Sequence, residues 1–130
     1  MFDHLGFAVS DYSRSLAFYR AALAPLGIAL VVEVTPEQSG GEAHAGFGRE
    51  GRPRFWIGTG RAALGPLHVA FEASSRAQVD AFHRAALAAG ARDHGAPGLR
   101  PHYHPDYYGA FVLDPDGHNI EAVCHRAEAA

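Results

Sequence analysis

Residues 17–24 read AFYRAALA and residues 81–88 read AFHRAALA, one octet written twice with a single change and displaced by 64 positions (17 to 81). At the same offset His4 falls on His68, Phe7 on Phe71 and Ser10 on Ser74. A chain built this way is two copies of a unit of about sixty residues, and it is expected to fold as a pair of similar modules. Each copy opens with a histidine. Two histidines placed equivalently by a repeat can converge on a pseudo-twofold axis, the arrangement that a metal site between half-domains requires.

A length of 130 residues suits a single domain 1–130, with module one over 1–62 and module two over 65–126. With 48% hydrophobic and 19% charged residues the composition is that of a soluble globular protein. A formal net charge of −3, and no run of Lys or Arg, leave no footprint for nucleic acid. The longest apolar stretch, residues 28–32, is too short to span a bilayer, and no signal-peptide pattern is read, so no membrane partner is expected. The lone Cys124 excludes an intrachain disulfide and fits a reducing compartment; the cytoplasm is the expected location. Nine histidines, four of them between residues 94 and 118, are compatible with metal, acid–base chemistry or a polar surface alike.

Residues 2–10 alternate as a strand, with Leu5, Phe7 and Val9 on one face and His4, Gly6 and Ala8 on the other. Ser10 or Asp11 caps a helix to about residue 24, stopped by Pro25 and Gly27. Residues 27–34 read as a buried strand, 35–41 as a flexible connection, and 42–47 and 54–58 as two strands joined through Glu50-Gly51. The second copy offers a strand at 67–73 and a helix opened by a Ser75/Gln78 capping box and closed at Gly90. A short strand at 91–93, a long connection over 95–106, and strands at 107–113 and 119–125 follow, the last two joined by an Asp114-Pro115-Asp116-Gly117 type I turn. The expected fold is α+β: two tandem βαβββ modules whose mixed sheets form an open cup, with helices on the outer face. Half-open sheets leave edges to cover, so a homodimer is expected.

The order H-L-G-F-A-V-S-D at the start, L-H-V-A-F at the midpoint and F-V-L-D-P-D-G-H-N-I-E-A-V at the end resembles the vicinal oxygen chelate superfamily. That group includes glyoxalase I, fosfomycin-resistance thiol transferases, bleomycin-resistance proteins and type I extradiol dioxygenases. The resemblance covers essentially the whole chain and implies paired βαβββ modules with, in enzymatic members, a divalent metal. Carried over by position, the ligands are His4, His68 and Glu121. Two imidazoles and a carboxylate with open positions suit Fe(II), Mn(II), Ni(II) or Zn(II), and leave room for a small substrate to chelate through two adjacent oxygens.

Departures from the family pattern narrow the chemistry. Glyoxalase I has a further carboxylate in its first module; an offset of 64 puts Ile57 there, alignment of the turns puts Phe55 there, and neither these nor Trp56 can ligate. Ordinary glyoxalase I activity is therefore disfavoured, and lyase or isomerase, thiol-transfer and ring-cleaving dioxygenase chemistry remain. The resemblance to extradiol dioxygenases offers His104 (or His102) as acid–base residue, but Phe111 stands where that group has a tyrosine. Tyr107 or Tyr108 replaces it only if the strand register turns one into the cup. The expected catalytic residues are His104 and Tyr108; Phe55, Trp56, Arg100, His102, Tyr103 and Tyr107 are the expected substrate contacts. The rival expectation is a metal-free protein that sequesters a small molecule in the cup, in the manner of bleomycin-resistance proteins.

Overall fold

The repeat in the sequence is reproduced strand for strand. The computed structural model describes residues 1–62 and 65–128. In the first half β1 (Leu5–Ala8) leads through α1 (Tyr12–Leu23) to β2 (Ala29–Val34), the short α2 (Pro36–Ser39), β3 (His44–Arg49) and β4 (Arg52–Gly58). In the second half β5 (His68–Glu72) leads through α3 (Arg76–Ala88) to β6 (Arg92–Leu99), β7 (Tyr108–Leu113) and β8 (Asn119–Cys124). The strand orders are β1-β4-β3-β2 and β5-β8-β7-β6. In both sheets the first strand runs parallel to the last and the other pairs are antiparallel. Among the described residues the two sheets share no hydrogen-bonded edge.

Both long helices begin where a side chain can satisfy a free backbone N–H. Asp11 is extended and accepts from Arg14 N at 3.1 Å; Ser75 accepts from Gln78 N at 3.2 Å. The expected capping box is modified, because Gln78 Oε1 accepts from Ser74 N at 2.9 Å rather than from the cap residue itself. After α1 the chain tightens into a 3-10 turn, Ala24–Leu26, and Gly27 at φ 75° reverses it.

The core is one cluster drawn from both modules. Phe18, Tyr19 and Leu23 of α1, Val79 and Phe82 of α3, Phe47, Phe55 and Ile57 of the first sheet, and Val112 and Ile120 of the second are buried together. Fully burying an aromatic or branched side chain of this kind contributes roughly 1.5–3 kcal/mol. Phe55 meets Phe71 edge-on at 5.1 Å, so the apolar faces of the two sheets look toward each other. Their small-residue faces consequently turn away from the core.

Polar groups of the Asp114-Pro115-Asp116-Gly117 turn fasten the modules together. Tyr19, fully buried, donates its hydroxyl to Asp114 Oδ2 at 2.5 Å, while Asp114 Oδ1 accepts from the backbone of Asp116 and His118 at 2.9 Å each. Burial and the adjacent Asp114 carboxylate push the Tyr19 hydroxyl well above its usual pKa, so it stays a donor. Asp116 binds the Ser10 hydroxyl and, at 3.2 Å, the Ser10 backbone N–H. On the other side Arg49 donates to Leu26 O and Glu72 O, one carbonyl from each module.

Three local expectations are corrected. Strand β2 is an edge strand, half-buried to exposed rather than buried, because only one neighbour covers it. The connection 35–41 contains a helical turn, held by a capping box between Thr35 and Gln38. Strand β6 runs to Leu99 and takes in half of the supposed long loop. Two register shifts against β7 let it absorb the residues between Asp93 and Gly98, including Pro97.

Candidate functional site

In the second module β5 and β8 run side by side, and alternation turns His68 and Glu121 onto the same small-residue face. His68 Nε2 and Glu121 Oε1 lie 2.8 Å apart. The imidazole is open to solvent, with 56% of its side chain exposed, whereas the carboxylate is only 1% exposed. Glu121 Oε2 accepts from the Tyr107 hydroxyl. Each carboxylate oxygen therefore has one partner, which is what a buried carboxylate requires.

Tyr107 reaches Glu121 across the backbone of Gly109. A Cβ at Gly109 would stand 3.1 Å from the Tyr107 ring and 3.4 Å from Glu121 Oε2, so the ring lies close against this residue. Tyr103 and His125 hold the ring from either side, each with centroids 5.1 Å away. Burial, and the hydrogen bond and charge of Glu121, raise the Tyr107 pKa above its ordinary value, so the hydroxyl keeps its proton and donates it to the carboxylate. Phe111 pairs with Glu121 across the β7–β8 ladder and lies 6.3 Å from the His68 ring. Arg100 folds back over Phe111 at 5.5 Å, its amino groups anchored on Ala96 O and Gly98 O at 2.8 Å each.

The matching face of the first module differs in kind. The ladder sets Gly6 opposite Trp56 as it sets Ala70 opposite Glu121, so Trp56 occupies the place of the carboxylate. Both sequence alignments of that place, on Ile57 and on Phe55, are corrected by this register. Those two residues point into the core. Phe55, expected to touch substrate, is 4% exposed and packs among Phe7, Tyr19, Phe47 and Phe71. His4 lies just before β1, largely exposed, with Nδ1 2.7 Å from Asp3 Oδ1. Together with Asp3, Gly6, His44, Pro53 and Trp56 it lines an open hollow of about 510 Å³.

The remaining expected residues divide. His104 is exposed on the loop before β7, where its Nδ1 accepts from Asp106 N at 3.1 Å and its ring stands 5.8 Å from His125. His102 packs against Tyr103 with ring centroids 4.2 Å apart and planes tilted by 50°, so both belong to the aromatic cluster around Tyr107. Tyr108 is on the other face of the sheet, bonded to Asp80 at 2.6 Å beneath the Arg76 guanidinium, and does not share a face with Glu121. Of the two tyrosines, Tyr107 is thus the one beside the carboxylate. Two further residues, Asp3 and His125, escaped the sequence reading; alternation back from Phe111 through Gly109 would have shown Tyr107's orientation, but nothing flagged these two.

As a candidate metal centre the chain holds part of a donor set. Adjacent donors on one ion, with bonds of roughly 2.0–2.2 Å, stand about 3 Å apart, as His68 Nε2 and Glu121 Oε1 nearly do. His4 also has the form of a ligand, since an Nδ1–H donated to Asp3 leaves the Nε2 lone pair free. Within one chain, however, His4 is not brought to the other two: among the described residues no three His, Cys, Asp or Glu side chains gather as an ion site. Nor, among those residues, is any helix long and apolar enough to cross a membrane.

Comparison with known proteins agrees with this architecture. A family model described as the Glyoxalase/Bleomycin resistance protein/Dioxygenase superfamily matches residues 1–122. A glyoxalase/bleomycin resistance protein from Albidiferax ferrireducens T118 is 31% identical over 98% of this chain and 99% of its own, with a TM-score of 0.73. A family enzyme from Burkholderia phytofirmans PsJN is 18% identical over 95% of this chain and 98% of its own, TM-score 0.68. Glyoxalase I from Zea mays is 19% identical over 98% of this chain but only 45% of its own, also at 0.68. The last two likenesses concern the fold. No curated protein matches the chain significantly.

Proposed function

The chain belongs to the glyoxalase/bleomycin resistance protein/dioxygenase superfamily, and from that premise we propose a small metalloenzyme whose site is completed by a second copy of the chain. His68 and Glu121 of one copy and His4 of the other form the donor set. The observation that carries this reading is the division of that set between two faces that both turn from the core, one bearing the bonded His68–Glu121 pair and the other His4 on its Asp3 partner. Free edges at β1 and β5 give a second copy somewhere to dock.

When bound, a divalent ion supplies a Lewis acid for a substrate with two adjacent oxygens. The chain's own residues do the rest. Tyr107 fixes Glu121 through Oε2, so that Oε1 alone faces His68. Asp3 orients the His4 ring. Arg100, held over Phe111, presents a guanidinium to an anionic substituent, and His104 on the neighbouring loop is the candidate to move a proton. Lyase or isomerase, thiol-transfer and dioxygenase steps all fit these parts, with Fe, Mn, Ni or Zn as the ion.

Trp56 favours a second reading, a metal-free binding protein, because it puts an apolar surface where a further ligand would otherwise stand. Elemental analysis of protein purified without added metal, beside the His68→Ala variant, separates the two. A stoichiometric divalent ion lost in His68→Ala supports the enzyme. Trace metal, with ligand binding unchanged in His68→Ala, supports the binder and removes the proposal.

A further inference from the structure

We infer that Asn119 is a positioning residue for His68, its amide oxygen accepting the ring's Nδ1–H when Nε2 serves as a metal ligand. The inference rests on the metalloenzyme reading and adds a residue that reading does not use. Asn119 opens β8, where the ladders set it beside His68 on one side and Leu113 on the other. Its predecessor His118 is buried against Phe7 and its successor Ile120 is buried in the core. Alternation cannot satisfy both, and the ladder decides: Asn119 shares the face of His68 and Glu121, its partners in register and two places on. There Oδ1 is buried, yet among the described residues it accepts no hydrogen bond.

A buried amide oxygen without a donor is destabilising, so the completed site should supply one. The neighbours on that face leave one choice. The side chains of Leu113, Phe111 and Ala70 carry no donor, and the oxygens of Glu121 already face His68 and Tyr107. Only His68 brings an N–H, from a strand about 4.8 Å away. With Nε2 against the Glu121 carboxylate, which only accepts, the neutral ring's single proton is committed there and Nδ1 has none to give. Once Nε2 is a ligand, that proton sits on Nδ1, with Oδ1 as the acceptor beside it. The first module has the same device already closed: His4 Nδ1 stands 2.7 Å from Asp3 Oδ1, which leaves its Nε2 for an ion.

The full chain, stripped with a chelator, is titrated with Zn(II) and followed by calorimetry and by nitrogen-15 spectra of the imidazoles. On loading, the wild type should gain an exchange-protected Nδ1–H assigned to His68. Asn119→Leu should lose that signal and bind Zn(II) about 10- to 100-fold more weakly. Its melting temperature should stay level or rise, because an unpaired amide gives way to an apolar chain of like size. Asn119→Asp keeps an acceptor, and should keep the signal and at least the wild-type affinity. A loaded wild type without the protected N–H, or Asn119→Leu binding as the wild type does, overturns this inference and leaves the metalloenzyme standing. A wild-type chain that takes no divalent ion removes both.

Discussion

In the second module Ala70 faces Glu121 across the parallel pair of strands, and in the first the same register sets Gly6 across from Trp56. Around Glu121 stand His68, Tyr107 and Phe111; around Trp56 stand His4, His44 and Pro53. The backbones match and the surfaces do not. A duplicated frame fixes where a side chain projects while leaving each half free to choose what projects there. One half has become a polar donor pair and the other bears an indole, and within one chain the two faces turn away from each other.

That contrast can be broken or sharpened by substitution. The largest effect is expected where the modules are joined. Asp114→Ala orphans the Tyr19 hydroxyl and two backbone N–H groups, and should cost about 3–5 kcal/mol, read as a loss of roughly 10–20 °C in thermal melts. Tyr107→Phe acts on the polar half alone. Freeing Glu121 Oε2 should weaken divalent binding about 10- to 100-fold by calorimetry and lower stability by about 1–3 kcal/mol. Trp56→Glu makes the halves alike, and should raise divalent affinity by about tenfold.

The smallest effect is alkaline. Burial and a hydrogen bond to Glu33 raise Tyr12 to about 12. In the second module the hydrogen bond to Asp80, with burial, raises Tyr108 to about 12 as well. Folded-state values above the unfolded value of about 10 mean that the native chain holds these protons more tightly. Their contribution is complete below pH ~10 and is lost as pH climbs toward ~12. Denaturant melts across that window should show the fall, and Tyr108→Phe should make it shallower.

Much of this was legible in the sequence. The octet repeat and the paired histidines carried the two-module fold, because a duplicated pattern constrains both halves at once. The register of β4 was not legible. Fifty positions separate Gly6 from Trp56 and fifty-one separate Ala70 from Glu121, so any fixed offset misses by one, and one residue turns a strand inside out. A bulge between Phe47 and Gly48, opposite Arg54, hides the shift further. The Asp114 turn was readable as a turn, but its buried bond to Tyr19 was not, since nothing local links residues 95 positions apart. The orientation of Tyr107 is legible in principle, since alternation from Phe111 puts 107 and 109 on its face and turns Tyr108 to the other.

The most direct measurement mixes two damaged chains. His4→Ala keeps the His68–Glu121 pair, Glu121→Ala keeps His4, and each alone should bind no divalent ion. After subunit exchange, half the dimers pair unlike chains and carry one intact site of two, so the mixture should regain about a quarter of the wild-type metal. No recovery from the mixture, with the wild type fully loaded, would contradict a centre shared between copies.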